Sequence, residues 1–179
     1  MTKAKNLVTY DFSTLYTSIP HDKLKTQMSW VIDKAFTGMN KRYIKVNKFC
    51  ARWSNKKDLK PDVVFINSET LINMIVWLID NTYVRIGDKV FRQVIGIPME
   101  TDCAPFLANL FLVSYEFQWM NEKLKKKNFY LLQKFKNCCR YIDDLFAINN
   151  SKTLLQLKHK IYPDITTDDE VTNMYIIWI

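Results

Sequence analysis

Asp143 and Asp144 stand side by side inside an apolar run, with Tyr141-Ile142 before them and Leu145-Phe146-Ala147-Ile148 after. Adjacent carboxylates repel, and an ionised acid is costly to bury unless it is paired or bound to a metal, so the pair points to a cation. The simpler alternative is a hairpin whose two acids form an exposed turn, since aspartate is a favoured turn residue. Taken alone, the pair supports the turn. Asp11, at the end of the apolar segment Leu7-Val8-Thr9-Tyr10, shifts the balance. If both segments are central strands of one sheet, three carboxylates converge and offer oxygen ligands to two hard divalent cations. Two such ions, roughly 3.5–4 Å apart, clamp the attacking and leaving oxygens of an in-line phosphoryl displacement. Spacing alone does not show that the three acids meet.

The elements that must position them follow from periodicity and punctuation. Leu7 to Phe12 is β-branched and aromatic and predicts a strand. Leu24, Met28, Val31, Ile32, Ala35 and Phe36 recur at helical spacing, so residues 22–37 predict a helix. Residues 38–61 are basic and polar, with an alternating patch from Tyr43 to Phe49, and read as a strand pair or a long loop. Val63 to Ile66 is a short strand or a lead-in to a helix over Glu69 to Thr82, capped by Asn67 or Ser68. Tyr83-Val84-Arg85-Ile86 and Lys89 to Val94, around Gly87-Asp88, predict a hairpin. Gly96 to Asp102 is a loop, Ala104 to Lys127 a long helix, and Ser151 to Lys160 a shorter one after the hairpin at Asp143-Asp144. An acidic loop (Asp164, Asp168, Asp169, Glu170) leads to a strand over Met174 to Ile179. This order predicts a mixed α+β domain.

The 179 residues are read as one domain, 48% hydrophobic with three glycines, which excludes a disordered chain. Most of the aromatic residues have core spacing. Lysine and arginine outnumber aspartate and glutamate 26 to 18, a net charge of +8 that favours a polyanionic partner such as nucleic acid. No signal peptide is visible, and the apolar stretches Leu71 to Ile79 and Phe106 to Val113 are too short to cross a bilayer. Cys50, Cys103, Cys138 and Cys139 have no CxxC spacing, and neither His21 nor His159 completes a zinc pattern. They read as reduced, mostly buried thiols of an intracellular protein. The apolar end, Tyr175-Ile176-Ile177-Trp178-Ile179, points to a partial chain.

Three segments together resemble a known family. Asp11-Phe12-Ser13-Thr14-Leu15-Tyr16-Thr17-Ser18-Ile19-Pro20, Gly96-Ile97-Pro98-Met99-Glu100-Thr101-Asp102-Cys103-Ala104-Pro105 and Tyr141-Ile142-Asp143-Asp144 occur in the order of reverse transcriptase palm motifs A, B and C. Pro20-His21-Asp22-Lys23-Leu24 and Phe106 to Leu112 resemble the reverse transcriptases of Penelope-like retroelements in particular. Each motif is weak alone; three in order are strong. The resemblance implies a polymerase palm, an antiparallel sheet with helices packed mainly on one face. It implies RNA-directed DNA synthesis with two Mg²⁺ (or Mn²⁺) ions, an RNA template, a DNA primer, deoxynucleoside triphosphates and a nuclear location.

By the same resemblance Asp11 and Asp143 would bind both metals, with Asp144 assisting and the Phe12 carbonyl a further ligand. Tyr16 matches the steric gate that excludes a ribose 2′-hydroxyl. Met99, Glu100, Ala104 and Pro105 fall in the loop and helix start under the incoming nucleotide, and Tyr141 lies near the primer terminus. Three departures stand out. Glu100 occupies a family glycine position, adding bulk and negative charge beside a triphosphate. Thr166-Thr167-Asp168-Asp169 fills the region of a later palm motif that carries a lysine, and Lys158 and Lys160 read as a solvated helix face. Most of the fingers, with the thumb and endonuclease segments of such elements, are expected to be lacking from what reads as a partial chain. A non-catalytic remnant that folds, or that binds nucleic acid through its basic surface, is the competing reading. A nucleotide cyclase on a palm-like sheet fits Tyr16 and the Gly96 to Pro105 segment less well.

Overall fold

The computed structural model describes residues 7–12, 14–58, 60–149, 151–165 and 172–174. It divides into two compact units, residues 21–94 and the flanking residues 1–20 with 95–179.

In the unit of residues 21–94, α2 (His21–Met39) buries Leu24, Met28 and Phe36 along one face, and α3 (Ser68–Asp80) packs against it. The Asn67 side chain caps α3 by accepting the Thr70 N–H at 2.8 Å, satisfying one of the amides that a helix start leaves without a partner. Lys25 and Asp80 join the two helices in an ion pair of 2.5 Å. The segment that sequence left open between strand pair and loop is a hairpin, β2 (Tyr43–Val46) and β3 (Ala51–Ser54), and β4 (Val64–Ile66) joins the other edge of β2. A second hairpin, β5 (Tyr83–Ile86) and β6 (Lys89–Arg92), turns on Gly87-Asp88 with Gly87 at φ +61°.

The other unit carries the acids. It opens with β1 (Leu7–Asp11) and the one-turn helix α1 (Leu15–Ser18), and after residue 94 continues with α4 (Ala104–Lys125) and α5 (Phe129–Lys134). The hairpin β7 (Cys138–Tyr141) and β8 (Asp144–Ile148), the helix α6 (Ser151–Ile161) and β9 (Thr172–Met174) complete it. Its sheet is antiparallel throughout, in the order β7-β8-β1-β9.

Side chains alternate across a strand, and here the alternation is strict. Val8 and Tyr10 of β1 are buried, and their register partners on β8, Ala147 and Leu145, are buried with them. Against this face α4 sets Ala104, Leu107, Ala108, Phe111, Leu112, Tyr115 and Trp119, all buried and all at helical spacing. Burying side chains such as Phe111 and Leu112 contributes about 1.5–3 kcal/mol each. Phe106, Leu110, Val113, Phe117, Met120 and Leu124 form a second apolar row on α4, and this row is exposed.

Three expectations need correction. Lys158 is not on a solvated face: it is 1% exposed, three residues before buried Ile161, with its ammonium 5.6 Å from the centre of the Tyr10 ring. A long methylene stem lets lysine occupy such a position. The cysteines carry no disulfide but are not mostly buried; Cys50 and Cys139 are exposed, Cys103 and Cys138 half-buried. Tyr10, Phe12, Phe36, Phe111, Tyr115, Trp119 and Tyr162 are core, whereas Phe49, Trp77, Tyr83, Phe91, Phe106, Phe117, Phe129, Tyr130 and Tyr141 are exposed. Helical spacing marks an apolar row without saying whether anything covers it. Finally, α1 and α5 were not anticipated, being too short for a periodic signal. Tyr175 to Ile179, read as strand, and Thr166-Thr167-Asp168-Asp169 lie outside the described residues.

Candidate active site

The register of β1 against β8 sets Leu7 opposite Ile148, Val8 opposite Ala147 and, at the end of the pair, Asp11 opposite Asp144. By the same alternation Asp11 and Asp144 share the sheet face away from α4, and Tyr141, opposite Asp144 on β7, is on that face and 72% exposed. The turn between β7 and β8 is Ile142-Asp143, so Asp143 is its second residue and Asp144 opens the next strand. The Asp143 carbonyl accepts the Phe12 N–H at 3.2 Å, which pins the turn to the end of β1. The backbone thus gathers all three acids at one end of the sheet.

Beyond Phe12 the chain coils at once into α1. The Phe12 carbonyl accepts the Leu15 N–H at 2.8 Å, which engages one lone pair and leaves the second. Pro20 ends the helix, and Ile19 before it is extended, as a residue preceding proline prefers. Tyr16 is carried half-buried on this single turn. Burial, and secondarily the Asp143 charge, push its hydroxyl above the ordinary tyrosine value, so the phenol is neutral at physiological pH.

Gly96 docks the second motif onto α1. It has φ +80°, its N–H donates to the Ile19 carbonyl at 2.8 Å, and the Ile97 N–H donates to the Tyr16 carbonyl at 2.6 Å. A Cβ at position 96 would lie 2.5 Å from the Tyr16 carbonyl oxygen and 2.9 Å from Thr17 backbone atoms. Neither the φ nor the space admits a side chain. Met99 and Glu100 are exposed in the turn that follows, and Thr101 donates to the Pro98 carbonyl through both its N–H and its hydroxyl. Ala104, fully buried, and Pro105 then open α4, where proline suits the first turn.

The donor types present, three carboxylates and a main-chain carbonyl, suit a hard divalent cation. Among the described residues no three His, Cys, Asp or Glu side chains are gathered closely enough to hold a metal ion. The backbone brings the acids together; their carboxylates, as placed, do not form a finished cage.

Sequence reading missed Arg140. It is opposite Leu145 on the core face of β7, and its side chain is 6% exposed. Its guanidinium forks onto Glu116 of α4, through Nε to Oε1 and Nη2 to Oε2, the latter at 3.3 Å. Nη1 donates to Asn109 Oδ1 at 2.8 Å and to the Ile142 carbonyl at 2.7 Å. Tyr162 donates its hydroxyl to Glu116 Oε1 at 2.7 Å, and burial followed by the Glu116 charge pushes that phenol well up. A charge at an inward strand position must be paired, and Glu116 pairs this one; nothing in the sequence of β7 alone turns Arg140 inward.

No protein-family profile and no curated protein sequence matches the chain. Solved structures do. Telomerase from Candida albicans in complex with a TWJ fragment of telomeric RNA matches at a TM-score of 0.62 and 10% identity, over 96% of this chain and 28% of that one. Apo telomerase from Candida tropicalis matches at 0.60 and 11%, over 98% and 29%, and the same protein with a TWJ fragment of telomeric RNA at 0.58 and 14%, over 94% and 26%. The chain spans less than a third of the length of these telomerases. The likeness is one of fold: a mixture of helices and antiparallel sheet similar to that of these telomerases.

Proposed function

We propose that this chain is the palm of a Penelope-like reverse transcriptase, descended from an RNA-directed DNA polymerase. The observation that carries the reading is the pairing of Asp11 with Asp144 while the Asp143 carbonyl holds the Phe12 N–H. Asp11 and Asp143, assisted by Asp144 and the Phe12 carbonyl, would hold two Mg²⁺ or Mn²⁺ ions. When bound, such ions neutralise charge developing on the oxygens of a phosphoryl transfer. The chain's own groups do the positioning. Tyr16, neutral and within the electrostatic reach of Asp143, stands where a nucleotide sugar would be selected, and exposed Tyr141 is available to a primer end. Met99, Glu100, Ala104 and Pro105 belong to the nucleotide side of the site, with Glu100 opposing a triphosphate. RNA template, DNA primer and deoxynucleoside triphosphates are the proposed partners and the nucleus the proposed location.

The test is Mn²⁺ titration of the wild-type chain and of Asp143→Asn, followed by extension of a DNA primer on an RNA template. Binding is expected in the wild type and lost in Asp143→Asn, and Glu100→Gly is expected to raise extension. Wild-type chain that binds Mn²⁺ no better than Asp143→Asn sinks the reading.

Exposed Glu100, together with carboxylates not gathered into a cage, favours a second reading, a remnant that binds nucleic acid through its basic surface. Its signature is salt-dependent RNA binding that Asp11→Ala leaves unchanged.

A further inference from the structure

Among the described residues two hairpins turn on two residues, and in both the first turn residue has positive φ. In the β5–β6 hairpin that residue is Gly87, at +61°; in the β7–β8 hairpin it is Ile142, at +51°. Glycine takes this conformation freely, whereas a β-branched residue is strained there. The strain sits at the peptide preceding Asp143, and strained backbone persists only when its surroundings over-determine it.

The surroundings do so from two sides. The Phe12 N–H holds the Asp143 carbonyl, and Arg140 Nη1 holds the Ile142 carbonyl at 2.7 Å. Arg140 is itself fixed, because Glu116 takes two of its donors and Asn109 Oδ1 shares Nη1. Both partners are on α4, the long helix packed beneath the sheet, so the turn is referenced to a rigid element. The planar, forked guanidinium makes this possible; an ammonium group could not meet all three partners in one plane.

We infer that Arg140 is a positioning residue, a clamp that holds Ile142 in its left-handed conformation and thereby fixes where Asp143 and Asp144 present their carboxylates. The clamp rests on the metal-site reading above. It explains why a charged residue occupies an inward strand position that an aliphatic residue would fill more simply.

Two measurements test it, neither requiring catalysis. The first is hydrogen exchange of the Phe12 amide, whose acceptor is the Asp143 carbonyl; the second is the Mn²⁺ dissociation constant. In Arg140→Gln the Phe12 amide should exchange about tenfold faster, and the dissociation constant should rise about tenfold, as when an outer-shell partner of a metal ligand is lost. Adding Ile142→Gly, which needs no clamp, should restore both. A general packing role for Arg140 does not give that rescue, and its absence overturns the proposal. Asn109→Ala, which keeps the Glu116 pair, should move both readouts in the same direction if Arg140→Gln does not fold. Unchanged Phe12 exchange in both variants overturns the clamp alone. Wild-type chain that binds no Mn²⁺ overturns the metal-site reading, and with it the function given to the clamp.

Discussion

At the scale of single residues, Gly96 supports the sharpest statement. Its missing Cβ lets one backbone rest on another, so the loop before α4 and the helix turn bearing Tyr16 meet through main-chain atoms. Gly96→Ala must either move the Tyr16 carbonyl or give up φ +80°. We expect a loss of more than about 1 kcal/mol in the urea stability of the chain; an unchanged midpoint would show that the contact is not made. Asp11 and Asp143 stand out in the sequence because acids at the ends of apolar runs are rare chemistry, whereas Tyr16 stands out only through the family resemblance of its segment. Gly96 could be picked out as part of a motif, but its contact with Tyr16 could not, since nothing in a one-dimensional pattern reports which carbonyl a loop will touch. Arg140 escaped for a related reason. Its inward orientation depends on the register with Leu145, and register is a property of two strands.

At the scale of elements, the long periodic helices and the hairpins were legible, with ends shifted by a residue or two. The one-turn helices α1 and α5 were not, because they hold too few residues to show a period. The ion pair between α2 and α3 illustrates what no pattern could supply. A hydrogen bond from Lys25, opposed in part by the cost of burial and supported by the weaker individual charges of Lys25, Arg92 and His21, holds the Asp80 carboxyl below its ordinary value. A carboxyl lowered in the folded state adds stability above its unfolded value, and that contribution is lost as pH falls through the folded one. Comparison with Lys25→Met should therefore show a stability gap at neutral pH that closes as pH drops below the ordinary aspartate value of about 3.9. A gap that persists in acid would assign the contact to packing of the lysine stem instead.

At the scale of the whole molecule, the charge of +8 is the property most easily read from composition and the hardest to localise. The lysines ending α4 show why. Lys123 and Lys126 pair with Glu122, and Lys123 also rests over the Trp119 ring, whereas Lys125 and Lys127 are exposed. If the end of α4 meets phosphate, Lys125→Gln with Lys127→Gln should lower the slope of log affinity for RNA against log salt by about 2; an unchanged slope moves the contact elsewhere. The division into two units was not legible either, for composition does not change at Pro20 or Val94. That division has a consequence in time. Residues 21–94 form one continuous stretch whose pairings are local, while β1 finds its partners β8 and β9 only after that stretch and all of α4 have been made. Local pairings close faster than distant ones. If residues 21–94 close first, Asp11, the last residue of β1, meets Asp144 only once β8 has been made, so the first acid of the candidate site in the chain is among the last to be placed.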